Sequence, residues 1–276
     1  MTDVTKAFQE HNVIPDVLPA GTKIPYNLGV HWPTVSLRAP AERLHRDQVQ
    51  EQPKVTTNFK VPKESPLPSN VLQASPLGQT AVKCPLFAKT LASSPFYQPD
   101  GGASGDEYVL LMVDPDLTRY NDGTFGQVRH WLVAKATINS AGDVLVDDAS
   151  GAVAVSPYVG PAPLAAHLIG IGARPSRYTF LLLRHAQGSG PSSTAAEAAL
   201  DAATLRGEYA GADAGALGGD AQHIVDRMGF DTWGFVERNG LEVVAATFAF
   251  VEGNVKSSLT NAALLASGAA QKAVGS

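Results

Sequence analysis

With 276 residues, 44% hydrophobic and 17% charged side chains, the chain is apolar enough to bury a sizeable core, as one large domain or two small ones. Its net charge is −5 and its lysines and arginines are scattered singly, which excludes the basic face of a nucleic-acid binder or of electrostatic docking to anionic membranes. Cys84 is the one cysteine, so an intrachain disulfide and a thiolate metal cage are excluded, and no segment approaches the roughly 18 uninterrupted apolar residues of a membrane span.

The segment from Met1 to Glu10 is polar apart from Ala7-Phe8, so no secretory leader is expected and the chain reads as soluble and cytoplasmic. Val4, Ala7, Phe8 and His11 fall at helical spacing and predict a short helix, followed by Val13-Ile14-Pro15-Asp16-Val17-Leu18. Val30 to Leu37 reads as a strand. Val55 to Val61 reads as a second, with Val55, Thr57, Phe59 and Val61 alternating with polar neighbours. Prolines recur from Pro62 to Pro99 too often for helix or central strand, and Gly101 to Gly105 makes a turn into the next element. Cys84, within this stretch, reads as a buried apolar filler.

Residues 108 to 113 are apolar at consecutive positions, which predicts a strand buried on both faces, and 130 to 137 and 177 to 184 have the same character. Asn139 to Asp148 carries hairpin turn chemistry. Between 186 and 220, 18 of 35 residues are Ala or Gly, too little apolar area to form a core element, so this is expected to be a surface insertion with an Ala-rich helix from Ala195 to Leu205. Phe230 to Asn239 reads as a short helix, Val243 to Val251 as a last core strand and Ser258 to Ala270 as a helix in a tail at 256–276. There are no internal repeats and no clean boundary, so a single domain over 1–276 is expected.

Four signals stand in one order. The strand at 108 ends in Asp114-Pro115-Asp116; then come Arg129-His130-Trp131, Tyr158-Val159-Gly160-Pro161-Ala162-Pro163 and Arg177-Tyr178-Thr179-Phe180. Pro115 fixes its own φ and biases Asp114 toward extended backbone, so both carboxylates are presented where a strand leaves the sheet. Taken singly, Asp-Pro-Asp is also turn chemistry, a histidine at a strand start is also a core residue, and Tyr178 also reads as an inward aromatic. The sequence contains no Gly-x-Ser-x-Gly elbow, P-loop, His-Glu-x-x-His or dinucleotide fingerprint after a strand.

As an ordered set these segments resemble the phosphatidylethanolamine-binding protein (PEBP) family. The resemblance covers 108 to 184 well, the opening at 8 to 18 and the strand at 241 to 251 more loosely, and the insertion and tail not at all. It implies a mostly β (α+β) fold: a large antiparallel central sheet, a smaller flanking sheet and helices toward the C-terminal side. It also implies an anion pocket at one end of the central sheet, lined by Asp114, Asp116, His130, Tyr158, Gly160, Ala162, Pro163 and Tyr178. In that picture Asp114 accepts a hydrogen bond from His130 and keeps the imidazole cationic. Phosphate is held by His130, Tyr178 and the Ala162 amide, and ammonium by Asp114 or Asp116.

The function so implied is a non-enzymatic regulator that binds a phospholipid headgroup or another small phosphate-type anion, without a cofactor or metal. The alternative is an inhibitor of a serine carboxypeptidase, or a modulator of a protein kinase cascade, with the pocket secondary. A hydrolase built on Asp114 and His130 lacks a nucleophile. Three positions depart from the family pattern. Leu117-Thr118-Arg119 replaces Ala-Pro-Ser-Arg, Ser176 stands in place of a second pocket histidine, and Val128 replaces a tryptophan. His167, a few residues after Pro163, is a candidate replacement donor.

Overall fold

The computed structural model describes residues 3–59, 107–117, 121, 126–163, 175–185 and 227–253. The proline-rich stretch with Cys84, the Gly101–Gly105 turn, Thr118 and Arg119, His167, the insertion at 186–220 and the tail at 256–276 lie outside the described residues.

Among the described residues ten strands carry the fold: β1 (Tyr26–His31), β2 (Ser36–Leu37), β3 (Glu42–His45), β4 (Lys54–Thr57), β5 (Tyr108–Asp114), β6 (Val128–Ile138), β7 (Asp143–Leu145), β8 (Val153–Ser156), β9 (Ser176–His185) and β10 (Leu241–Glu252). The large sheet runs β8-β6-β5-β9-β10-β3, and the smaller group runs β2-β1-β4-β7. β6 is long enough to belong to both, pairing β5 and β8 along one part and β7 near its end. Tyr26 and Asn27 of β1 lie beside Ala245 and Ala246 of β10, which joins the two sheets into a closed ring. Most pairings are antiparallel, as expected, but β10 runs parallel to both β1 and β3.

The expected strand from Val30 to Leu37 is instead a hairpin. Pro33 cannot donate to a ladder, the chain turns there, and Val30 faces Leu37 across the two arms. Asn139 Oδ1 accepts from the Ala141 and Asp143 amides in the predicted β6–β7 turn, and Gly142 takes φ 88° there.

β5 is buried at every position because its two faces serve two cores. Val109, Leu111 and Val113 face the helices α1 (Val4–Glu10), α2 (Val13–Asp16) and α3 (Thr232–Arg238), together with Leu181, Leu183 and Phe248. Tyr108, Leu110 and Met112 face the ring interior with Trp131, Phe180, Leu182, Val30 and Val55. The α1 stripe predicted from spacing packs here, with Phe8 edge-on to Phe248 at 5.1 Å. Asp231 caps α3 by accepting from the Gly234 amide. No helix among the described residues is long and apolar enough to cross a membrane.

Candidate functional site

Alternation along β5 decides where Asp114 goes. Tyr108, Leu110 and Met112 face the ring interior, so Asp114 is the next position on that face, at the mouth where apolar side chains give out. Tyr178 is the matching interior position on β9, since Val113 pairs with Thr179. His130, from β6, stands edge-on to Tyr178 with ring centroids 5.1 Å apart. All three are buried. The Tyr158–Pro163 segment reaches them from β8, where the Ala162 amide donates to the Tyr178 hydroxyl at 3.1 Å.

Asp114 and Asp116 share one motif and meet opposite environments. Asp116 Oδ2 accepts from the Arg177 amide and from Nε, at 2.9 and 2.8 Å, and Oδ1 accepts from Arg177 Nη2 and the Asn121 amide, both at 2.7 Å. Its carboxylate is thus engaged by a two-toothed guanidinium pair. Arg177, fully buried, also pairs with Asp16 at 2.8 Å and donates to the His11 carbonyl, so the N-terminal segment and the site loop share one cation. Asp114 Oδ1 accepts the Asp116 amide at 2.7 Å, whereas Oδ2 is buried without a hydrogen-bond partner among the described residues. Burial, then the neighbouring Asp116 carboxylate, push the Asp114 carboxyl up to about 8, against the lowering effects of the Asp116 amide, Tyr178 and Arg177.

The expected hydrogen bond from His130 to Asp114 is not formed. Nδ1 lies 2.9 Å from the Val159 carbonyl, and the Val159 amide donates back to the His130 carbonyl. A carbonyl only accepts, so Nδ1 carries the hydrogen and the neutral ring offers Nε2 as an acceptor. Burial drives the imidazole down to about 4, helped by the Arg227 guanidinium and opposed by the Val159 carbonyl. The expected imidazolium is therefore a neutral imidazole. Arg227 donates to the carbonyls of His130 and Pro157 at 2.9 and 2.8 Å, tying β6 to the start of the loop.

The loop residues are held by their surroundings. The Tyr158 hydroxyl donates to Val49 O at 2.7 Å and accepts from Trp32 Nε1 at 3.2 Å. Gly160 lies against the segment at residue 50, where a Cβ would meet Gln50 Cα at 2.8 Å, and Gln50 Nε2 donates to the Pro161 carbonyl. Gly160→Ala is therefore expected to cost about 1–2 kcal/mol by overpacking, read as a lower thermal midpoint. Pro161 and Pro163 are buried beside it. The Ala162 amide, expected to face an anion, is engaged by the Tyr178 hydroxyl, which also lies beside the Asp114 carboxyl. Ser176 occupies the second-histidine position and donates to the Asp116 carbonyl at 3.3 Å.

Four contributors escaped the sequence reading of the site: Asp16, Gln50, Arg177 and Arg227. A signal existed for Arg177, because an arginine opening a strand apolar on both faces demands a buried counter-charge.

A profile of the phosphatidylethanolamine-binding proteins matches residues 57–212. No curated protein sequence matches the chain. Among solved structures, the chain is similar to a carboxypeptidase Y inhibitor complexed with its cognate proteinase, with 15% identity, a TM-score of 0.52 and coverage of 90% of this chain and 94% of that one. It is also similar to a phosphatidylethanolamine-binding protein from Plasmodium vivax, with 13% identity, a TM-score of 0.52 and coverage of 90% and 97%. At these identities the likeness is one of fold.

Proposed function

The chain belongs to the phosphatidylethanolamine-binding protein family, and from that membership we propose that it is a non-enzymatic, cytoplasmic regulator that binds a phospholipid headgroup or another small phosphate-type anion at Asp114, His130 and Tyr178. The observation that carries this reading is the convergence of three buried polar side chains at the ring mouth, with Asp114 Oδ2 buried without a hydrogen-bond partner among the described residues. Buried polar groups left in this way are costly unless an occupant satisfies them. Asp116, Tyr158, Gly160 and Pro163 are assigned to positioning, since their contacts hold the loop and strand ends. Ala162 acts through the Tyr178 hydroxyl.

The test is calorimetric titration of phosphoethanolamine at pH 6 into wild type, His130→Ala and Tyr178→Phe. Saturable binding to wild type, weakened at least tenfold in both variants, is expected. Absence of binding to wild type would refute the reading.

A second reading is inhibition of a serine carboxypeptidase, supported by the fold shared with a carboxypeptidase Y inhibitor. It predicts loss of peptidase activity on adding the protein, undiminished by His130→Ala. Modulation of a protein kinase is the remaining alternative, and it predicts a phosphate-independent complex in a pull-down with the kinase.

A further inference from the structure

At the ring mouth, charge matching stops one residue short. Arg177 from β9 is engaged with Asp116 and Asp16, and no ion pair reaches Asp114 among the described residues. The other polar groups facing Asp114 are the Asp116 carboxylate and amide from the loop and Tyr178 from β9; His130 from β6 stands against Tyr178, with Arg227 behind it. The imidazole does not supply a counter-charge, because its N–H is given to Val159 O. A carboxyl that is fully buried, holds one backbone N–H on Oδ1, has a bare Oδ2 and lies beside a second carboxylate is cheaper to bury with its proton than without it.

We propose that Asp114 is the uncharged carboxylic acid at neutral pH and binds through its O–H, so that the site takes its anion by donation from Asp114, beside the Tyr178 hydroxyl, and releases it as Asp114 ionises in mild alkali. This deepens the headgroup reading and rests on it. A neutral donor suits a singly charged phosphodiester oxygen, and a carboxylate formed in the same place repels it. His130 Nε2, an acceptor, adds a demand for a donor on the ligand, such as a primary ammonium. The shared chemistry is a phosphodiester monoanion, from a lipid headgroup or from a free small anion.

The experiment uses two diesters whose phosphates do not titrate between pH 6 and 9, glycerophosphoethanolamine and dimethyl phosphate, in calorimetry with wild type and Asp114→Asn. Wild type is expected to bind at pH 6 and to weaken about tenfold per pH unit above about 8. Asp114→Asn keeps a donor and cannot ionise, so the affinity it shows at pH 6 is expected to be unchanged at pH 9, whatever its size relative to wild type. A headgroup source gives binding of the first diester alone, and a small-anion source gives binding of both. Wild-type affinity that is flat or rising from pH 6 to 9, or an Asp114→Asn variant that binds neither diester when wild type does, would overturn the inference.

A second readout needs no ligand. The Asp114 carboxyl carbon shift, assigned by its absence in Asp114→Asn, is expected to titrate near 8. Titration near 4 would overturn the inference alone, leaving the headgroup reading standing. Failure of both diesters at every pH, with the carboxyl still titrating high, would sink the headgroup reading and the ligand half of the inference with it.

Discussion

Arg177→Ala is expected to destabilise the protein by about 3–5 kcal/mol, the cost of removing one partner from a buried charged cluster. The guanidinium satisfies the Asp116 carboxylate with two bonds, pairs with Asp16 and donates to the His11 carbonyl, all from a fully buried position. Truncation leaves two carboxylates facing each other across the vacated space, with Asn121 bridging them through its amide to Asp116 and its side chain to Asp16. Urea denaturation reads the effect as a lower midpoint with an unchanged slope. Adding Asp16→Asn and Asp116→Asn to Arg177→Met removes the stranded charges and is expected to recover much of the loss. A midpoint for Arg177→Ala within about 1 kcal/mol of wild type would refute the cluster's role.

A second large effect is expected in the pH dependence of stability. Asp114 is raised from its ordinary 3.8 to about 8, so between these values the folded chain holds a proton that the unfolded chain has released. Its contribution is full below about pH 4 and is lost as pH rises to about 8, at about 1.4 kcal/mol per pH unit. His130 is lowered from 6.5 to about 4, so its contribution is present above about 6.5 and is lost as pH falls toward 4. The two slopes oppose one another between about pH 4 and 6.5. Above that the Asp114 slope stands alone, and wild type is expected to lose about 2 kcal/mol from pH 6.5 to 8 through this group. Asp114→Asn removes the slope, so the variant gains on wild type by up to about 5 kcal/mol from pH 4 to 8. Denaturation of both proteins at pH 4, 6.5 and 8 measures this gap, and parallel profiles would refute the assignment.

The sheet was legible wherever a strand is buried on both faces. Tyr108 to Val113 is a strand because consecutive apolar residues feed two separate cores, and β9 and β10 announce themselves in the same way. Val30 to Leu37 misled because the residues on both arms of the hairpin suit a strand, and only Pro33 marks the reversal. The site was legible as a set of side chains but not as a set of bonds. His130 finds the carbonyl of Val159, an atom that every residue possesses, so no residue type could advertise it. Asp114 and Asp116 look interchangeable in Asp-Pro-Asp, and their separation into an unpaired acid and a paired carboxylate depends on Arg177, some 60 residues away. Two of the positions that depart from the family pattern acquire definite roles: Ser176 holds the Asp116 carbonyl, and Val128 pairs with Asp114 across β6 and β5.

The seam between β1 and β10 sets a clock on biosynthesis. Tyr26 must wait for Ala245, and roughly 220 residues separate them, a long-range pairing of the kind that slows folding. At about 5–20 residues per second on the ribosome, the interval is roughly 10–45 seconds, during which β1 has β2 and β4 for neighbours but its seam-side edge is open. Through that interval the nascent chain presents an unpaired strand edge beside Leu28 and Val30, residues that later vanish into the ring. The sealed ring of the mature protein is therefore a late product, and the period of greatest exposure to mispairing falls before β10 emerges.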